Sequence, residues 1–115
     1  MEGEMELGVE ARGDLMVVRV LEDRIDAAVA IQFKDRMREI LTDAPARVLL
    51  DLERVGFLDS SGLGAVVAVM KLLGPDRRLE LAGLTPTVQK VFRLTRMDSV
   101  FIIHPAVPDV LRDAV

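Results

Sequence analysis

The sequence predicts an α/β fold: a mixed, mostly parallel β-sheet with an N-terminal hairpin and about four α-helices. Three observations point there. Short apolar runs alternate with segments whose apolar residues recur every three or four positions. One run, Val48-Leu49-Leu50-Asp51-Leu52, is nearly continuous and flanked by breakers, as suits a strand buried on both faces. The first two runs are separated by Arg12-Gly13-Asp14, a turn signal that makes them a hairpin.

In chain order, residues 5–10 and 15–20 are the hairpin strands. Asp26 then precedes Ala30, Phe33, Met37 and Leu41, whose spacing places them on one helical face. Its carboxylate is suited to accept the free N–H groups of a first helical turn. Pro45 marks the exit from that helix, and the strand of residues 48–52 follows. A second helix starts near Ser61, with Leu63, Val66, Val67, Met70 and Leu73 as its buried stripe and Gly74-Pro75 as its end. Leu79-Glu80-Leu81 alternates like a strand. Thr85-Pro86 opens a third helix, Thr as cap and Pro where a missing N–H costs nothing, with Val88, Val91 and Phe92 facing inward. Residues 100–103 read as a last strand, and Val107, Val110, Leu111 and Ala114 as a closing amphipathic helix. The order is β-β-α-β-α-β-α-β-α, with right-handed crossovers expected.

Length and composition narrow the function. The 115 residues suit a single domain spanning 1–115. Without Cys, disulfide frameworks, Cys-based zinc sites and thiolate nucleophiles are excluded. One His cannot build a multi-histidine metal site. A net charge of −4 argues against nucleic-acid binding, and 3% aromatic residues against stacking platforms. The acidic start Met1-Glu2-Gly3-Glu4 does not resemble a signal peptide, and no apolar run approaches a membrane span. These features lead us to expect a soluble, cytoplasmic protein, monomeric by default, with no cofactor and no metal.

The informative segment is Phe57-Leu58-Asp59-Ser60-Ser61-Gly62-Leu63-Gly64, between the most buried strand and the second helix. Functional groups in open α/β sheets gather beyond the carboxyl ends of the strands. Two glycines in the first turn of a helix cost up to about 1 kcal/mol each relative to alanine. Two readings account for them. Small residues let helix and sheet approach closely, or the turn presents a hydroxyl on bare backbone to a macromolecular partner. Enzyme motifs do not fit. A nucleophile elbow needs Gly two residues before the Ser, where Leu58 and Asp59 stand. The Gly-Lys-Ser/Thr of a phosphate-binding loop is absent, and Gly62-Leu63-Gly64 lacks the third glycine of a dinucleotide fingerprint. His104 has no companion motif and reads as a partly buried loop histidine before Pro105, and Asp51 as a structural carboxylate bonded to nearby backbone. No catalytic constellation appears, so the chain is not expected to be an enzyme.

Asp59-Ser60-Ser61-Gly62-Leu63-Gly64 resembles the signature of STAS domains, in particular the bacterial anti-sigma factor antagonists. The likeness covers most of the chain: Arg24-Ile25-Asp26-Ala27-Ala28 resembles the segment opening the family's first helix, Gly83-Leu84-Thr85-Pro86 its third-helix entry, and Val91-Phe92-Arg93-Leu94 with Val100-Phe101 its later core. Two positions depart from it. Asp23 and Arg96 stand where many members have Gly, and Arg96 must either adopt a left-handed backbone or end the third helix differently.

The resemblance implies a STAS-type fold and a phospho-switched regulator. Ser61 would be the phospho-acceptor, and the partner an anti-sigma factor serine kinase of the GHKL type. The unphosphorylated form would bind that kinase and free the sigma factor. Phosphorylation would end binding, and a PPM-type serine phosphatase would reset the switch. Asp26, Asp59, Ser60, Ser61, Gly62, Leu63 and Gly64 would make the partner-binding face. Ser60 is a cap or a neighbouring polar contact. Asp59 and Asp26 each either hold a turn or touch the partner, and Leu63 faces the core. The alternative is a constitutive STAS docking subunit of a lipid-transport ATPase complex, and a small-molecule or nucleotide-binding domain is a third reading that lacks a phosphate-binding lysine.

Overall fold

The computed structural model describes residues 5–107. The chain runs β1 (Leu7–Arg12), β2 (Leu15–Val20), β3 (Arg24–Ile25), α1 (Ala30–Leu41), β4 (Arg47–Asp51), β5 (Phe57–Leu58), α2 (Ser60–Leu73), β6 (Arg78–Ala82), α3 (Pro86–Leu94), a 3-10 turn at Met97–Ser99, and β7 (Ile102–His104). Five strands make one sheet in the order β1-β2-β4-β6-β7. β1 and β2 are antiparallel, while β2–β4, β4–β6 and β6–β7 are parallel. The mostly parallel sheet with an N-terminal hairpin is as expected. No described helix is long and apolar enough to cross a membrane.

Alternate residues of each strand face opposite sides of the sheet. On one side Val18, Val48, Leu50, Leu79 and Leu81 meet Phe33 and Met37 of α1, Ala65, Val66 and Val69 of α2, and Val88 and Phe92 of α3 in one buried cluster. The other side holds a smaller cluster, Leu15, Val17, Leu49, Ala82 and Val107, to which no described helix contributes. All four residues expected on the inner face of α1 (Ala30, Phe33, Met37, Leu41) are buried.

Several boundaries differ from the sequence reading, each for a local reason. β1 begins at Leu7 and runs to Arg12 because the turn at Gly13 (φ +60°) sets a ladder from Leu7 opposite Val20 to Arg12 opposite Leu15. Met5 precedes the strand and is buried in the main core. The last strand starts later, at Ile102. Arg96 adopts the left-handed conformation (φ 61°), and the 3-10 turn after it leaves Val100 exposed before Phe101 packs edge-on against Phe92 at 5.8 Å. α2 is rotated relative to the expected stripe: Gly62, Ala65, Val66, Val69 and Leu73 are buried, while Leu63, Val67 and Met70 flank the core half-buried. A helix this apolar around its circumference does not announce its inner face by period alone. Thr85 sits at the cap position of α3, but its hydroxyl donates to the Val55 carbonyl at 2.8 Å instead of capping. Of the expected closing helix, only Val107 lies within the described residues, buried in the second cluster.

β3 and β5 were not anticipated. They pair in parallel as a separate two-stranded sheet, Arg24 opposite Phe57 and Ile25 opposite Leu58. Two residues are too few for a periodicity to show. This small sheet fixes the approach to α2.

Candidate functional site

The site is built on the connection from β4 to α2. Leu52 donates its N–H to the Ala82 carbonyl, and Gly56 to the Asp23 carbonyl at 2.9 Å, so the segment is tied to β6 and to the start of β3. β5 follows and delivers the chain to Asp59, an extended residue (φ −99°, ψ −172°) at the N-cap of α2. An Asp here satisfies helix-end donors that have no intrahelical acceptor. Its Oδ1 accepts the Gly62 N–H at 2.9 Å, and its carbonyl accepts the Leu63 N–H at 2.8 Å. Its Oδ2 accepts the Ala27 N–H at 3.3 Å, so one carboxylate joins the α2 N-terminus to the turn before α1.

Of the two alternatives open for Asp59, the structure shows the turn-holding contacts. Asp26 caps a turn, not α1 itself. Its Oδ1 accepts the Ala28 N–H at 3.0 Å, its carbonyl accepts the N–H groups of Val29 and Ala30, and the N-cap position of α1 is Val29, which has no side-chain cap. The helix starts later than Asp26 because that preceding turn uses the donors a cap would take. Asp26 Oδ2 also lies 3.4 Å from the Arg24 guanidinium.

The two glycines separate cleanly. A Cβ on Gly62 would stand 1.9 Å from the Ile25 carbonyl oxygen, so only glycine lets α2 press against β3. A Cβ on Gly64 would meet nothing within 4 Å. The close-approach reading thus accounts for Gly62, which is buried, and Gly64 lies on the open face. Ser60 and Ser61 are exposed in the first turn, and neither hydroxyl has a hydrogen-bond partner among the described residues. Leu63 is half-buried against the core, and only Asp26, Asp59, Ser60, Ser61 and Gly64 of the predicted set present polar groups or bare backbone to solvent nearby.

A second cluster of charge lies on the sheet face opposite the helices. Glu80, in mid-β6, is 1% exposed and accepts Arg47 Nε at 2.9 Å and Nη2 at 3.1 Å, Arg78 Nε at 3.1 Å, and meets His104 Nε2 at 2.7 Å. The hydrogen bonds from Arg47 outweigh burial and, with those from His104 and the nearby guanidinium charges, lower the Glu80 carboxyl to about 2. Beside it Asp51, also buried, accepts Arg19 Nε at 3.1 Å and the Glu53 N–H at 3.0 Å. The expected structural role of Asp51 holds, with Arg19 added. His104 closes β7 as a partner of Glu80 and is not a loop residue. Sequence reading missed this network. Its one signal was a Glu flanked by two leucines in a strand, with an arginine heading that strand and another heading β4.

Comparison with known proteins adds the following. The STAS domain family model matches residues 6–110. The Bordetella bronchiseptica protein BtrV, named as a candidate anti-sigma factor antagonist, is 32% identical over 89 residues, spanning 76% of this chain and 77% of its own. A crystal structure of an anti-sigma factor antagonist from Mycobacterium paratuberculosis superposes with a TM-score of 0.82 at 26% identity, covering 97% of this chain and 95% of that one. The anti-sigma factor antagonist SpoIIAA in its unphosphorylated form superposes with a TM-score of 0.66 at 25% identity, covering 95% of this chain and 96% of that one. SpoIIAA of Bacillus has also been solved in a phosphorylated form.

Proposed function

The chain belongs to the STAS domain family, and from that premise we propose that it is an anti-sigma factor antagonist switched at Ser61. In its unphosphorylated form it binds an anti-sigma factor serine kinase of the GHKL type through the face around the α2 N-terminus, and so releases the sigma factor. Phosphorylation of Ser61 ends that binding, and a PPM-type serine phosphatase restores it. The observation that supports this reading most is an exposed, unbonded hydroxyl in the first turn of a rigidly held helix, with open space over Gly64 beside it.

The chemistry follows from the placement. The Ser61 oxygen attacks the terminal phosphorus of the kinase-bound nucleotide, its proton passes to a base of the kinase, and the nucleoside diphosphate leaves. A phosphoserine brings about −1.5 to −2 charges. At a helix N-terminus it meets the positive end of the dipole and the Ser60 and Ser61 N–H groups, which have no acceptor among the described residues. The phosphorylated chain therefore stays folded. The cost falls on the interface, where the new charge faces the diphosphate that has just donated it. Like charges at that range repel, and added bulk separates the surfaces.

The test is a paired capture from lysate of the native organism, with wild-type chain and Ser61→Glu as baits and the retained proteins identified by mass spectrometry. A GHKL-type serine kinase on wild type and not on Ser61→Glu is the expected result. The same transport ATPase on both baits would instead make the chain a constitutive docking subunit.

A further inference from the structure

The chain has four phenylalanines. Phe33, Phe92 and Phe101 are buried, whereas Phe57 is 48% exposed. Its position is imposed by the small sheet: pairing of β3 with β5 turns Ile25 and Leu58 inward and leaves Arg24 and Phe57 side by side on the outer face. Asp23, Arg24 and Phe57 line one open pocket of about 310 Å3. The Asp23 side chain is 86% exposed and approaches Arg24 Nε only at 3.8 Å, while Arg24 is also drawn to Asp26 at 3.4 Å. Phe57 lies two residues before Asp59 on the connection that leads into α2.

The pocket's chemistry selects its occupant. An exposed aromatic ring beside a docking face is the kind of group that anchors protein interfaces. An aliphatic side chain laid on the ring would strip water from Asp23 and leave it only the 3.8 Å contact with Arg24. A carboxylate would meet Asp23 in the pocket itself, where the one cation, Arg24, is already shared between Asp23 and Asp26. A guanidinium satisfies both halves, stacking on the ring while its paired N–H donors meet a carboxylate. We propose that Phe57 and Asp23 form a receptor for an arginine side chain of the docking partner, and so decide which partner the switch face accepts. This inference rests on the docking-face reading above.

The test is calorimetric titration of the full chain with the purified kinase that wild type retains. Phe57→Leu and Asp23→Lys should each weaken binding about tenfold or more, while Phe57→Tyr and Asp23→Glu should stay within about threefold of wild type. The Asp23→Lys penalty should shrink as salt is raised. Asp23 is so exposed that Asp23→Lys remains informative even if the Phe57 variants fold poorly, and thermal melting checks all four. Wild-type affinity in Phe57→Leu and Asp23→Lys, with binding lost in Ser61→Glu, would overturn the arginine receptor and leave the switch standing. Retention by Phe57→Leu with loss in Phe57→Ala would also overturn it, in favour of an aliphatic anchor. Failure of wild type to retain any kinase would remove the switch reading and this inference together.

Discussion

Asp59 and Glu80 are both carboxylates at the centre of their surroundings, and the chain uses them in opposite ways. Glu80 sits in mid-strand, buried, with Arg47, Arg78 and His104 all directed at its two oxygens. Both carboxylate oxygens in that cluster are met by side-chain donors. Asp59 is half-buried at a helix end and spends its two oxygens on the backbone of Gly62 and Ala27. Around it stand groups with no partner among the described residues: the Ser60 and Ser61 hydroxyls and N–H groups. A saturated network stabilises one face of the sheet. A scaffold held by few, well-placed bonds leaves chemistry available at its surface.

The contrast can be broken most severely at Gly62. Gly62→Ala forces a Cβ into the Ile25 carbonyl and should destabilise by about 3 kcal/mol or more, because both clashing partners are backbone. Gly64→Ala should stabilise by up to about 1 kcal/mol, since it removes a helical glycine and meets open space. Paired denaturant melts measure both, and equal effects at the two positions would erase the distinction between a packed and an open glycine.

The Glu80 face should respond to acid. The folded-state carboxyl is lowered from 4.5 to about 2, so its contribution is fully present above pH 4.5 and is lost as pH falls through about 2. That loss amounts to at most about 3 kcal/mol. Glu80→Gln should be less stable than wild type at pH 7 and should show a flatter decline between pH 4.5 and 2. Parallel acid limbs for the two proteins would mean that the network does not govern this window.

Smaller in size is the loss of the cap. Asp59→Ala should cost about 1 kcal/mol of stability. It should also increase hydrogen exchange at Gly62 and Ala27, the two amides the carboxylate accepts. Unchanged exchange at Ala27 would show that the 3.3 Å contact does not hold the turn before α1.

What the sequence made legible follows from length of pattern. Ala30, Phe33, Met37 and Leu41 span three turns at regular spacing, and all are buried as read. Arg96, singled out as a departure from the family's glycine, does take the left-handed backbone. Gly62 and Gly64 could not be told apart by spacing, since what separates them is a carbonyl from β3, a strand of two residues with no periodicity. Glu80 looked like an ordinary alternating strand position, because the partners that surround it come from β4, the first residue of β6, and β7. Asp26 carried the chemistry of a cap, but the turn it closes ends before the helix begins.

The central claim is that Ser61, and not its neighbour, is the hydroxyl the switch uses. Wild-type chain, Ser60→Ala and Ser61→Ala would each be incubated with the retained kinase and ATP, and the phosphate located by fragmentation mass spectrometry. The account predicts one phosphate, on Ser61, in wild type and in Ser60→Ala, and none in Ser61→Ala. Phosphate on Ser60, or undiminished phosphorylation of Ser61→Ala, would contradict it.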